Sequence, residues 1–332
     1  MNRLRSTRCT PGWRDPDPAR PRATATASPA DRLPESSPPA YHVPMSWLWI
    51  TLVSAFSLAS ADAATKGLLR DCTTAELVLV RFGVAGLLLT PVVLVQPWPV
   101  LPLPFWGWVG ALVPLELVAM YLYMRAISTS PLALTLPYQA LTPVFVAGVG
   151  YLILGERISP RGLAGVALVA LGAYLLNVDQ LRGAGRSPLA PLRAIWREPG
   201  SRMMLGAAGL YALTSVMGKA ALRYAPATFF GPFYFMLLGG ITLTAALAGP
   251  GHARVLLRRP GGSLVVGLLM AAMVVSHFVA MARVEVAYMI AVKRTSLLFG
   301  ILYGAILFRE GGLRRHLAAG ILMIAGVALI AL

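Results

Sequence analysis

The chain has 332 residues, of which 57% are hydrophobic and only 13% charged, about half the charged share usual for soluble domains. A soluble globule is excluded, and since a hydrophobic helix crosses the bilayer core with about 20 residues, ten such helices would use nearly the whole apolar inventory. The formal charge of +16, from 29 basic and 13 acidic side chains, sits between apolar runs rather than in a solvated, aromatic-interleaved patch, which argues against nucleic-acid binding. Cys9 and Cys72 have no CxxC spacing and make no zinc or redox framework.

In chain order, residues 1–44 come first, with nine prolines, seven arginines, four acids and no apolar run. Such a segment cannot bury enough surface to offset the entropy of ordering, so it reads as a disordered tail. Met45 opens the first apolar run directly, which leaves open a translation start there. The runs that follow, broken by Pro, Gly and charge clusters, predict ten helices at 46–67, 74–95, 104–126, 131–153, 160–178, 202–222, 227–248, 262–282, 286–308 and 313–332. The longest join, 179–201, carries Arg182, Arg186, Arg193 and Arg197 among Gly and Pro, and separates a first unit, 45–178, from a second, 202–332.

The two units repeat each other. Lys66-Gly-Leu-Leu-Arg70 recurs as Lys219-Ala-Ala-Leu-Arg223, 153 residues on. An offset of 154 aligns Glu156 with Glu310, Ala126 with Ala280, Ala133 with Ala287, Phe145 with Phe299, Arg161 with Arg315 and Gly172 with Gly326. Near-equal offsets at distant points indicate a duplication. Five helices is an odd number, so the second copy enters the membrane from the opposite side, an arrangement that favours alternating-access transport.

The segment Pro131-Leu-Ala-Leu-Thr-Leu-Pro137-Tyr-Gln-Ala-Leu-Thr-Pro143-Val-Phe145, running on to Leu154-Gly155-Glu156-Arg157, resembles the EamA repeat of the drug/metabolite transporter superfamily. Val286-Ala-Tyr288 through Lys293-Arg294-Thr-Ser and Phe308-Arg309-Glu310 is similar to the closing half of the second repeat, and Arg81-Phe82 also fits. One departure is Arg309, where the family usually has Gly. The resemblance implies an all-α polytopic fold of ten transmembrane helices in two inverted five-helix EamA repeats, a secondary transporter in the cell membrane, and cytoplasmic termini. The basic residues argue the other way on orientation. They concentrate after helices 1, 3, 5, 7 and 9, which by the positive-inside rule places both termini outside.

Ionisable groups inside spans are costly and are functional candidates by default. Eight stand out. Asp62 and Lys66 lie four residues apart in helix 1, where they can pair. Arg81 is set to meet Glu116 or an interface, and Glu116 sits among Leu and Val in helix 3, suited either to proton coupling or to pairing with Arg81. His277 in helix 8 is a proton carrier or a hydrogen-bonded packing residue. Lys219, Lys293 and Arg294 have no obvious protein partner, and with too few acids to neutralise them they predict an anionic ligand. A Lys-Arg pair on the penultimate helix with a Lys in the sixth is locally similar to the phosphate-translocator branch of the superfamily.

Tyr121 and Tyr138, with Tyr123, fall in helices 3 and 4, which the resemblance makes pocket-lining. The tryptophans near span ends read as interface anchors, and Gly300 with Gly304 as a helix-packing step. No phosphate-cradling loop, HExxH pair or nucleophile elbow occurs. The expectation is therefore a carrier of small metabolites, anionic or zwitterionic, such as amino acids, carboxylates or phosphorylated compounds. It is not an enzyme, uses no cofactor or metal, and has the substrate and the lipid bilayer as partners. The rival reading is a non-transporting helix bundle or accessory subunit.

Overall fold

A computed structural model describes residues 45–129, 136–182, 199–249, 253–307 and 317–332, and all regular structure among them is helical. The expected tail, Arg309 and Glu310 lie outside these residues. In chain order the helices are α1 (Ser46–Leu68), α2 (Thr74–Val95), α3 (Leu103–Thr129), α4 (a 3-10 stretch Leu136–Leu141 continued by Thr142–Leu154), α5 (Pro160–Arg182), α6 (Pro199–Ala221), α7 (Ala227–Ala248), α8 (Pro260–Met281), α9a (Val286–Lys293), α9b (Ser296–Leu307) and α10 (Leu317–Ala331). A one-turn helix, Arg254–Arg258, precedes α8. Helix α5 runs to Arg182 and α6 starts at Pro199, so the helices take residues from both ends of the expected 179–201 linker.

Among the described residues six stretches are long and apolar enough to cross a membrane: Ser46–Leu68, Thr74–Val95, Leu103–Tyr123, Ala227–Ala248, Pro260–Met281 and Val286–Gly304. The apolar parts of α4, α5 and α10 are shorter. Helix α6 has the length, but Ser, Thr, Gly, Arg202 and Lys219 dilute its apolar content. The coarse reading of a multi-helix membrane protein holds.

Local chemistry sets the boundaries. Thr73 caps α2, its hydroxyl accepting from the Glu76 N–H while the Glu76 carboxylate accepts from the Thr73 N–H at 2.7 Å. Proline opens α5, α6 and α8, where its missing N–H would be unpaired anyway. Gly155 ends α4 with φ 70°, a left-handed conformation that favours glycine. At the α1–α2 turn, Glu76 pairs with Arg258 and Asp71 accepts from Arg259 at 2.9 Å, tying this turn to the join between α7 and α8.

Four packing pairs are matched between the two halves, while others, such as α2 on α8 and α7 on α8, have no counterpart of comparable extent among the described residues. Helix α1 lies on α8 as α6 lies on α3, α1 on α9b as α6 on α4, and the pairs α2–α7 and α5–α10 are matched to themselves. The α2–α7 and α5–α10 pairs approach closely through glycine. A Cβ on Gly239 would lie 2.8 Å from the Phe82 carbonyl oxygen, one on Gly326 2.7 Å from that of Gly165, and one on Gly86 would collide with the Phe235 carbonyl. Backbone cannot give as a flexible side chain does. Gly86→Val is therefore expected to cost about 3 kcal/mol, the upper end for overpacking, and to lower the melting temperature in detergent. Gly110→Ala, which meets nothing within 4 Å, serves as the neutral control. The Gly300 position also meets nothing within 4 Å, so the expected packing role falls to these other glycines.

Candidate functional site

Helix α9 was expected to run unbroken, yet it stops at Lys293 and restarts at Ser296, with Arg294 and Thr295 in a turn. The matched position of the first half, 154 residues earlier, is where α4 changes from 3-10 to α geometry between Leu141 and Thr142. A threonine supports each change. Thr295 Oγ1 donates to the Val292 carbonyl and Thr142 Oγ1 to the Gln139 carbonyl, both at 2.8 Å, and the Val292 carbonyl accepts from the Thr295 N–H as well. Irregular backbone inside a span is tolerated where it is buried in protein or lines a cavity, and broken helices are a recurrent setting for transporter sites.

The break presents Lys293 and Arg294 to the centre of the bundle. Lys293 Nζ lies 3.1 Å from His277 Nδ1 and 3.3 Å from Met273 Sδ, both on α8. An ammonium has only donors, so Nδ1 accepts and His277 stands as a neutral imidazole protonated on Nε2. Arg294 Nη2 donates to Gln139 Oε1 at 3.3 Å, joining the α9 break to the α4 break, and its Nε is buried without a partner. Among the described residues no carboxylate oxygen lies within 4.0 Å of either cation. Glu116 of α3 lies near Thr214 of α6 and within electrostatic reach of Lys293.

Arg81 corrects one expectation. It takes Asp62 of α1 as its carboxylate, not Glu116, and reaches Thr65 Oγ1 at 3.5 Å. Arg81 lies in a π-helical stretch of α2, Leu79–Val84; such bulges occur often at functional sites. Lys66 is exposed one turn further along α1. The rings of Tyr123 and Tyr211 stand 6.4 Å apart edge to face, in the neighbourhood of Arg81 and Arg294. Two inward-facing tyrosines thus come from α3 and α6. The Tyr234 hydroxyl of α7 is buried without a partner.

Lys219 also departs from expectation, because it has a partner. Its ammonium lies 2.6 Å from Glu156 Oε1 and donates to the Val284 carbonyl, while Glu156 Oε2 accepts from the Val286 N–H at 2.9 Å. Both side chains are largely buried, 20% and 13% exposed. Arg223 Nη2 donates to the Leu154 carbonyl at 3.2 Å, and Tyr288 Oη accepts from the Ser159 N–H at 3.3 Å. The α4–α5 turn, the end of α6 and the start of α9a are thereby clasped at one end of the bundle.

Lys293, Arg294, His277, Glu116, Arg81 and Asp62 are brought together. Tyr121 is 65% exposed on the outside of α3, and Tyr138 packs in a small buried cluster with Ala126 and Met204. Sequence reasoning did not single out Gln139, Thr214, Tyr211 or Tyr234. Alternation with the residues that were noticed was the available signal: Gln139 adjoins Tyr138, and in a helix neighbouring side chains diverge by about 100°.

The sequence model of the EamA-like transporter family matches residues 45–178, which are therefore an EamA-like unit, as the motifs of the first half indicated. The family is one of membrane transporters, and the match is to the first half of the chain. No curated protein matches the sequence. A solved structure described only as a crystal structure of a protein is 16% identical, with a TM-score of 0.63 over 86% of this chain and 96% of that one. At that identity the likeness bears on the fold alone.

Proposed function

We propose that the protein is a secondary carrier of the cell membrane, built as two inverted five-helix repeats, that moves anionic or zwitterionic metabolites by alternating access. Amino acids, carboxylates and phosphorylated compounds fall within this class. The observation that carries the reading is the pair Lys293 and Arg294 at the α9 break, held by neutral groups and without a carboxylate within 4.0 Å among the described residues. Uncompensated charge in a low-dielectric interior is costly, and an anion is its natural counter-ion. Supporting it, four packing pairs are matched between the halves, and the two breaks meet through Gln139 and Arg294.

The two ends of the polar centre differ. Asp62 remains 54% exposed although it is engaged by Arg81, whereas the other end carries the Lys219–Glu156 clasp. This reads as a state open toward the α1–α2 end and closed at the clasp, with rocking of the halves alternating the two.

Thermal stabilisation of the purified protein by a metabolite panel tests the substrate class. Stabilisation by carboxylates, phosphorylated compounds or amino acids is expected. Stabilisation by lipophilic cations alone would contradict the reading.

A further inference from the structure

The geometry points to Gln139 as a specificity-determining residue: its neutral amide orients Arg294 without neutralising it, so that the charge of Arg294 stays available to the substrate. The inference rests on the proposed anion site and concerns how that site counts charge.

Gln139 and Lys293 occupy the same position of the two repeats, 154 residues apart, each in the turn before its helix break. The first repeat thus carries an amide where the second carries an ammonium. Two donor groups face Gln139 Oε1: Arg294 Nη2 at 3.3 Å and, at 3.4 Å, the Thr142 hydroxyl, whose single proton is shared with the nearer Gln139 carbonyl. These donors fix the amide with its oxygen toward Arg294, since the amide nitrogen has no lone pair to offer a guanidinium. The nitrogen instead points to Met204 Sδ at 3.4 Å, a weak acceptor that makes no demand on the charge of the residue. Thr142, Met204 and Arg294 therefore surround a group whose only electrostatic contribution is a dipole.

A carboxylate of the same shape would accept from the same two donors and form an ion pair with Arg294, reducing the site by one unit of positive charge. A glutamate fits the same volume and keeps an oxygen toward Arg294, losing only the weak Nε2–H···Sδ contact to Met204. What the amide changes is the charge left over for a ligand. Arg294 Nε, buried without a partner, is a donor that a bound oxyanion can satisfy while Gln139 occupies Nη2. The guanidinium is then shared, with one edge held by the protein and the other open to the substrate.

The test compares wild type, Gln139→Glu and Gln139→Leu as purified proteins, using succinate and lactate as divalent and monovalent probes and reading apparent Kd from thermal stabilisation. Gln139→Glu is expected to weaken succinate binding at least tenfold and to lower the succinate-to-lactate affinity ratio at least fivefold. Its ligand-free melting temperature should stay equal to wild type or rise. Gln139→Leu removes the orienting acceptor but no charge, so both probes should weaken by a similar factor and the ratio should hold. An unchanged ratio in a folded Gln139→Glu protein would overturn the inference, as would a Gln139→Leu protein that changes the ratio as much as the acid does. If Gln139→Glu fails to fold, the amide has a structural role and the inference is overturned too. A wild type stabilised by neither probe would count instead against the anion site itself.

Discussion

Lys293→Ala is expected to weaken substrate binding by about 3 kcal/mol, roughly a hundredfold, the scale for truncating one side of a desolvated charge pair. The protein should fold normally. Its ammonium is held by His277 Nδ1 and Met273 Sδ, with Glu116 within electrostatic reach but no carboxylate in direct contact among the described residues, so losing it breaks no ion pair. Removing the partner of a buried carboxylate would behave otherwise, since an orphaned ion destabilises strongly. Lys293→Arg keeps the charge but replaces a point donor by a planar fork, so it should retain binding only in part. The check is melting temperature and substrate affinity of both variants in the same detergent. An alanine variant that binds like wild type would remove Lys293 from the site.

The second large effect is expected at the clasp. Glu156→Gln leaves the Lys219 ammonium with only the Val284 carbonyl, at a cost of about 2 kcal/mol, below the full penalty for a deeply buried ion because the pair lies at one end of the bundle. The glutamine oxygen can still accept from the Val286 N–H, so the loss isolates the charge pair. Adding Lys219→Met removes the stranded charge and should recover most of the stability. Non-additivity of this cycle, read as melting temperatures, is the diagnostic. Additive losses would show that Lys219 and Glu156 act independently.

Both effects arise from residues that were conspicuous in the sequence, but their partners were not. Lys66 and Lys219 stood out as matched cations, and Lys293-Arg294 as an adjacent pair deep in an apolar run. Local spacing gave Asp62 a neighbour in Lys66, because four residues along a helix is a contact that can be read without a fold. Arg81 with Asp62 and Glu156 with Lys219 join different elements, and such pairs follow only from packing. The helices themselves were legible because apolar runs of spanning length end at Pro, Gly or charge. The break in α9 was not, since Val292-Lys293-Arg294-Thr295-Ser296 contains neither Pro nor Gly. There the interruption goes with two adjacent cations and a threonine that takes up the Val292 carbonyl. The π-helical stretch around Arg81 contains Gly83, but a single glycine in an apolar run does not mark such a bulge. Tyr121 and Tyr138 were read as pocket residues from their helices alone. Their immediate surroundings decided otherwise for the geometry, with Tyr123 and Gln139 facing the polar centre.

The match to the EamA-like family covers the first half, while the cations proposed to hold the substrate lie in the second. The duplication connects them. The breaks at α4 and α9, 154 residues apart, carry different side chains, an amide and a Lys-Arg pair, so the site is asymmetric. That asymmetry gives the centre its positive character.

Flux into liposomes tests this account most directly. Purified protein should drive uptake of anionic or zwitterionic metabolites from a panel of carboxylates, phosphorylated compounds and amino acids, with uptake lost in Lys293→Ala and no uptake of quaternary ammonium dyes. Transport of the dyes with no movement of any anionic or zwitterionic compound would contradict it.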